Sequence, residues 1–136
     1  MEQQGRVRVL IVDDATMTRG ILRLMLEIEG YEVVGEAASA REARTLAARL
    51  VPDIVFLDIN LPDESGMAVL RHLHRERPDL GVVMITVDDT ADRMRQAIRE
   101  GALGYVIKPL SEDGAMATIR HILRDRFGLS SSGRVG

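Results

Sequence analysis

The stretch Asp53-Ile54-Val55-Phe56-Leu57-Asp58-Ile59-Asn60-Leu61-Pro62 decides how the chain is read. Ile54 to Leu57 is a short apolar run, too short for a buried helix and rich in β-formers, so it reads as a strand covered on both faces. The strand stops at Asp58, and Pro62 places a loop just beyond it. In an open parallel sheet, ligands bind outside the carboxyl ends of the strands, which is where this carboxylate falls. A lone Asp after a strand is also an ordinary turn residue, so the other strand ends carry the decision.

Upstream, Arg6-Val-Arg-Val-Leu-Ile-Val12 is a second apolar strand, halted by Asp13-Asp14. Residues 15–29 repeat apolar side chains at helical spacing, and Gly30 ends that helix. Residues 31–35 form a short strand. Ser39-Ala-Arg-Glu42 is a capping box for a helix whose inner face is Ala40, Ala43, Leu46, Ala47 and Leu50, and Pro52 prevents its continuation. Downstream, residues 64–77 read as a helix facing inward through Met67, Leu70 and Leu73. Residues 81–86 form a strand ending at Thr86. Asp88-Asp89-Thr90 caps a helix running to Glu100 that buries Ala91, Met94, Ala97 and Ile98. Residues 104–107 are the fifth strand, closed by Lys108-Pro109, and a last helix covers 111–126.

Five strands alternating with five helices specify a three-layer α/β domain, a (βα)5 flavodoxin-like fold with an all-parallel sheet. With the strand order 2-1-3-4-5, strands one and three flank the reversal point, and Asp13, Asp14 and Asp58 meet in one crevice. Thr86 and Lys108 end the next two strands on the same edge. Residues 1–5 read as an N-terminal extension, 6–126 as the domain, and 127–136, rich in Ser and Gly, as a flexible tail.

At 136 residues the chain suits one domain with one core. It contains no Cys, which removes disulfides and thiolate metal sites. A net charge of −3 and 3% aromatic residues give neither a basic footprint nor stacking platforms for nucleic acid, so no direct nucleic-acid binding is expected. No apolar run approaches the roughly 18 residues of a membrane span, and the first residues lack the apolar core of a signal peptide. A cytoplasmic protein with no membrane partner is the expectation.

Carboxylates crowded together repel unless a cation neutralises them. Mg²⁺ suits this site, because it takes hard oxygen ligands and is commonly held by one or two carboxylates plus phosphate oxygens. Lys108 adds an ammonium and Thr86 a hydroxyl that can reach phosphoryl oxygens. Charge neutralisation and positioning are most of what phosphoryl transfer requires of a protein.

The set Val12-Asp13-Asp14, Asp58-Ile-Asn-Leu-Pro62, Thr86 and Gly101-Ala-Leu-Gly-Tyr105-Val-Ile-Lys108-Pro109 resembles the receiver domain of two-component response regulators. The resemblance implies Asp58 as phosphoacceptor, Asp13 and Asp14 as Mg²⁺ carboxylates, and the Asn60 backbone carbonyl as a further ligand. It implies Lys108 as the phosphoryl-contacting lysine, Thr86 and Tyr105 as a switch pair, and a cis Lys108–Pro109 bond. The implied donor is a sensor histidine kinase or phosphotransfer protein. The implied output is a protein contact on the fourth helix, fifth strand and fifth helix, with no catalysis beyond self-phosphorylation and self-dephosphorylation. The expectation is a stand-alone regulator, monomeric or weakly dimeric when phosphorylated. Its rivals are a receiver cut from a longer regulator, a scaffold receiver without chemistry, and an Asp-nucleophile phosphatase. The last would place a second Asp where Asn60 stands.

Val87 departs from the family pattern, which has a small residue after the switch Thr. Its bulk narrows access to the phosphoryl group and Asp88 repels anions, so Val87→Ala is expected to shorten the life of the phosphorylated state, read by timing phosphate release. The first helix holds more apolar residues than a single buried stripe requires. If Ile21, Leu22, Met25 and Leu26 face the sheet, as the family pattern suggests, Met17, Leu24 and Ile28 are surplus, suited to a kinase helix bundle or a second copy; the alternative is a broadly buried helix. His72 and His74 lie two apart and share no helix face, so no chelating pair is expected.

Overall fold

A computed structural model describes residues 5–110 and 113–128. Each apolar run identified above becomes a strand: β1 (Arg8–Val12), β2 (Glu32–Ala37), β3 (Ile54–Leu57), β4 (Gly81–Thr86) and β5 (Gly104–Ile107). Between and after them come α1 (Thr16–Ile28), α2 (Ala40–Leu50), α3 (Gly66–Glu76), α4 (Ala91–Arg99) and α5 (Asp113–Phe127). All strand pairs are parallel, in the order β2-β1-β3-β4-β5. The tail beyond residue 128, most of the N-terminal extension and the expected first residues of α5 lie outside the described residues.

Strand periodicity divides the core into two layers. Leu10, Val12, Val55, Leu57, Val82 and Met84 face α2 and α3. Val9, Ile11, Ile54, Phe56, Val83 and Ile85 face α1 and α5, where Leu22, Leu26, Ile119 and Leu123 are fully covered. Both faces of β3 and β4 are buried, hence their uninterrupted apolar sequences. The register pairs Val12 with Leu57, so Asp13 and Asp58 follow at one level on adjacent strands.

Helix ends follow their local chemistry. Ser39 Oγ accepts the Glu42 N–H at 3.1 Å, while the Glu42 carboxylate takes the N–H of Ala38. Ser65 and Thr90 cap α3 and α4, so α3 begins two residues after the position its sequence suggested. The C-cap of α2 is Val51 at φ +50°, a left-handed conformation that crowds a β-branched side chain. Arg8 Nη1 holds this turn by donating to the carbonyls of Leu50 (2.6 Å) and Val51 (2.8 Å). Val51→Gly relieves the crowding, and after the entropy of Gly a net gain of about 1 kcal/mol is expected in urea unfolding at unchanged m.

Helix α4 differs from its sequence reading. Only Ala97 is buried; Met94 is half-buried, Ala91 is exposed and Ile98 is 48% exposed. The small Ala97 lets the helix rest on the sheet at that point, and successive residues turn about 100° apart, so Ile98 is carried away from it. In α1 the narrow-stripe reading holds: Leu22, Met25 and Leu26 are buried and Ile21 packs partly with them, while Met17, Leu24 and Ile28 are 76%, 62% and 73% exposed.

Candidate functional site

The crevice opens between the ends of β1 and β3, where the sheet order reverses. Asp13 continues β1, its N–H bonded to the Ala37 carbonyl at 3.0 Å. Its Oδ1 accepts the Ala15 N–H at 2.8 Å, closing the turn into α1. Asp58 continues β3, its N–H donating to the Val12 carbonyl at 2.9 Å, and its Oδ1 accepts from the Asn60 N–H at 3.2 Å. Asp13 and Asp58 are both buried, and Asp14 stands exposed beside them. Oxygens of the three carboxylates lie within 4.8 Å of one another.

Lys108 follows β5 and reaches across the sheet end. Its Nζ lies 2.8 Å from Asp13 Oδ2 and 3.3 Å from Asp58 Oδ2. Burial alone would lower the ammonium's pKa, but the close Asp13 oxygen and the charges of both carboxylates outweigh it and hold the pKa above its ordinary value. Burial, followed by the charge of Asp13, pushes the Asp58 carboxyl upward, while the Asn60 N–H and Lys108 pull it back. The Lys108–Pro109 bond is cis. Gly66 opens α3 directly beneath the site, where a Cβ would overlap the Asp58 carbonyl oxygen.

Thr86 is fully buried at the end of β4, and its Oγ1 accepts the Asp88 N–H at 3.2 Å. Tyr105 is half-buried and its hydroxyl donates to the Asp88 carbonyl at 2.7 Å. Burial first, then the Asp88 charge, pushes the phenol up to about 12, so it remains a neutral donor. The Asp88 carboxylate accepts from the Thr90 N–H and hydroxyl and from Arg93 Nε. It is thereby drawn onto the start of α4 and away from the anion-repelling role expected of it, while Val87 is 64% exposed.

Two supports are missing from the sequence reading. Asp63, in the β3–α3 loop, accepts the N–H groups of Ala40 and Arg41 through its two oxygens, and Arg44 binds Glu64 with two 2.9 Å hydrogen bonds. The loop that carries Asn60 is thereby fastened to the start of α2. Arg19 of α1 bonds both the Asp13 carbonyl and Glu36 of β2. These partners belong to different elements, and no local pattern announces them.

The donor set fits Mg²⁺: hard carboxylate oxygens at close range, one exposed for exchange with solvent. Asp13 Oδ2 is buried and receives no hydrogen bond of acceptable geometry despite the nearby Lys108 charge, so it retains capacity for a cation. Among the described residues no helix is long and apolar enough to cross a membrane.

Together, a doubly wound five-stranded sheet and an acid-lined crevice at its reversal point, with a lysine from the last strand end, define a receiver-type signalling fold. The chain belongs to the response regulator receiver domain family, whose family model matches residues 9–120. The response regulator GacA of Pseudomonas aeruginosa is 35% identical over 117 residues, covering 85% of this chain and 55% of that protein. The alginate biosynthesis regulator AlgB of Pseudomonas putida is 39% identical over 111 residues, 82% of this chain and 25% of its own length. The chain thus spans about half, or less, of these curated relatives. Among solved structures, a LuxR-family response regulator from Aurantimonas superposes with a TM-score of 0.80 at 31% identity, covering 90% of this chain and 85% of that one. The CheX–CheY–BeF3–Mg²⁺ complex from Borrelia burgdorferi gives 0.84 at 26% identity, covering 93% and 94%.

Proposed function

We propose that this chain is a phosphoacceptor switch, in which Asp58 takes a phosphoryl group from the phosphohistidine of a sensor histidine kinase or phosphotransfer protein. The observation that carries the reading is the convergence of Asp13, Asp14, Asp58 and Lys108 at the reversal point of a receiver fold. An Asp58 Oδ attacks phosphorus, the P–N bond breaks, and the donor imidazole leaves with the electron pair. Lys108 favours the ionised nucleophile and remains to meet a phosphoryl oxygen. Asp13, Asp14, Asp58 and the Asn60 carbonyl would hold Mg²⁺, which supplies positive charge for the phosphoryl oxygens.

The product carries about −1.5 to −2 charge, by analogy with hydroxyl phosphoesters. The Thr86 hydroxyl, which now accepts from Asp88, turns to donate to the phosphoryl group, and Tyr105 follows. The face of α4, β5 and α5 is biased by this change and acts on a downstream protein or a domain joined to it. Water attacks the acyl phosphate and restores the carboxylate. The test is incubation with Mg²⁺ and acetyl phosphate followed by intact mass. One added phosphoryl group that requires the metal and disappears in Asp58→Asn supports the reading; none, or one placed elsewhere, refutes it.

The exposed stripe Met17, Leu24 and Ile28 runs along α1, which starts beside this crevice, and is proposed as the docking face for the donor's helices. Leu24→Ala with Ile28→Ala is expected to slow transfer from a kinase about tenfold, the scale of trimming interface anchors. Labelling by acetyl phosphate stays unchanged. A loss of dimer with transfer intact would assign the stripe to self-association instead.

A further inference from the structure

We infer that Arg19 is the positioning residue for the Asp14 carboxylate, acting through the Asp13 peptide carbonyl and without touching a bound cation. The inference rests on reading Asp13, Asp14 and Asp58 as the cation site. Asp14 is exposed, and among the described residues no hydrogen bond or ion pair holds its carboxylate. Its placement therefore falls to the backbone. Nor does the helix start help, since the N-cap of α1 is Ala15, which offers no side-chain cap.

The backbone is fixed from one turn into α1. Arg19 Nη1 donates to the Asp13 carbonyl at 2.6 Å and Nε donates to Glu36 Oε1 at 2.9 Å. The other Glu36 oxygen takes Arg23 Nε at 2.6 Å, so Glu36 is held from two helical turns. A guanidinium is planar, so two separate acceptors fix its plane as well as its position. The Arg19 side chain is mostly covered, and Asp13 Oδ1 is engaged with the Ala15 N–H. The peptide linking Asp13 to Asp14 cannot turn without breaking the Arg19 bond, and that peptide sets the direction in which Asp14 leaves the chain. Groups of this kind behind metal ligands commonly tune affinity.

The sign of the effect distinguishes positioning from simple charge. Removing a cation beside an acidic cluster should tighten Mg²⁺ binding if only charge matters. Positioning requires the opposite. The experiment is calorimetric titration of MgCl₂ into the full chain and into Arg19→Ala, Arg19→Lys and Glu36→Gln, each below its own unfolding temperature. Arg19→Ala is expected to raise Kd about tenfold. Arg19→Lys keeps the charge, but one ammonium does not span both acceptors, so it falls near Arg19→Ala. Glu36→Gln also loses a negative charge, which alone would weaken binding, so it is titrated at raised ionic strength. A smaller rise that survives screening marks positioning and keeps the test open if an Arg19 variant fails to fold. Unchanged or tighter binding in the folded Arg19 variants, or in Glu36→Gln where they do not fold, overturns the inference while leaving the site reading intact. A wild-type chain that takes up no Mg²⁺ overturns both.

Discussion

Replacing Asp58 by Asn is expected to abolish the proposed phosphoryl uptake and, in magnesium-free buffer at neutral pH, to make the folded chain more stable. The first effect follows from losing the nucleophilic oxygen. The second follows from electrostatics: burial and the neighbouring Asp13 charge raise the folded-state pKa of Asp58 above its unfolded value. A carboxyl shifted upward binds its proton more tightly when folded, so its contribution to stability is fully present below the unfolded pKa of about 3.9 and is lost as pH rises through the folded pKa. At neutral pH the ionised group opposes folding, and the neutral amide does not. A gain of about 1 kcal/mol is expected, which moves the melting midpoint of a chain this size by about 4 °C. The gain shrinks as pH falls through the raised folded-state pKa of Asp58, or as Mg²⁺ is added, because the cation stabilises the wild type by binding its folded state. Melting curves across pH, with and without Mg²⁺, check both dependences. A destabilised variant at neutral pH would show that Asp58 is already fully compensated.

Lys108→Ala acts in the reverse direction and more strongly. The ammonium lies 2.8 Å from Asp13 and 3.3 Å from Asp58, and both acids are buried. Removing it leaves two enclosed negative charges without their counter-ion, for which about 3 kcal/mol of lost stability is expected at pH 7. The sign agrees with the raised Lys108 pKa: its stabilisation is fully present below the unfolded value of about 10.4 and is lost as pH rises through the folded one. Neutral pH lies well inside the stabilising range. Stability of the variant should recover as acidification protonates Asp58, whose carboxyl is already pushed upward, or on addition of Mg²⁺, since either route relieves the repulsion. Chemical denaturation at pH 4 and pH 7 tests this. Equal losses at both values would mean that lost packing of the alkyl chain, and not charge, is responsible.

The elements that were legible in the sequence are those whose signal is local. The apolar runs at Leu10 and Ile54 had to be covered on both faces, and the carboxylates following them had to meet once the strand order was fixed. Thr86 and Lys108 were found because they close β4 and follow β5, whereas Tyr105, inside β5, came only with the family resemblance. Helix α4 was misjudged because its apolar spacing describes a stripe without saying how much of it the sheet reaches, and a nine-residue helix touching at Ala97 leaves Ile98 outside. Val51 was invisible as well. Pro52 foretold the end of α2, but the left-handed turn that precedes it depends on Arg8, more than forty residues away. Arg19 and Asp63 were hidden for a related reason, since their roles arise only where separate elements meet.

The hydrogen bonds at Asp88 carry one more implication. Its amide faces the Thr86 hydroxyl and its carbonyl faces the Tyr105 phenol, so these two side chains hold opposite ends of a single amino acid. Its carboxylate meanwhile anchors the opening turn of the next helix. On the proposed switch, a rotation of the Thr86 hydroxyl at the carboxyl end of β4 would pass along a lever only one residue long to an aromatic ring and a helix start together, with little slack in which the motion could dissipate.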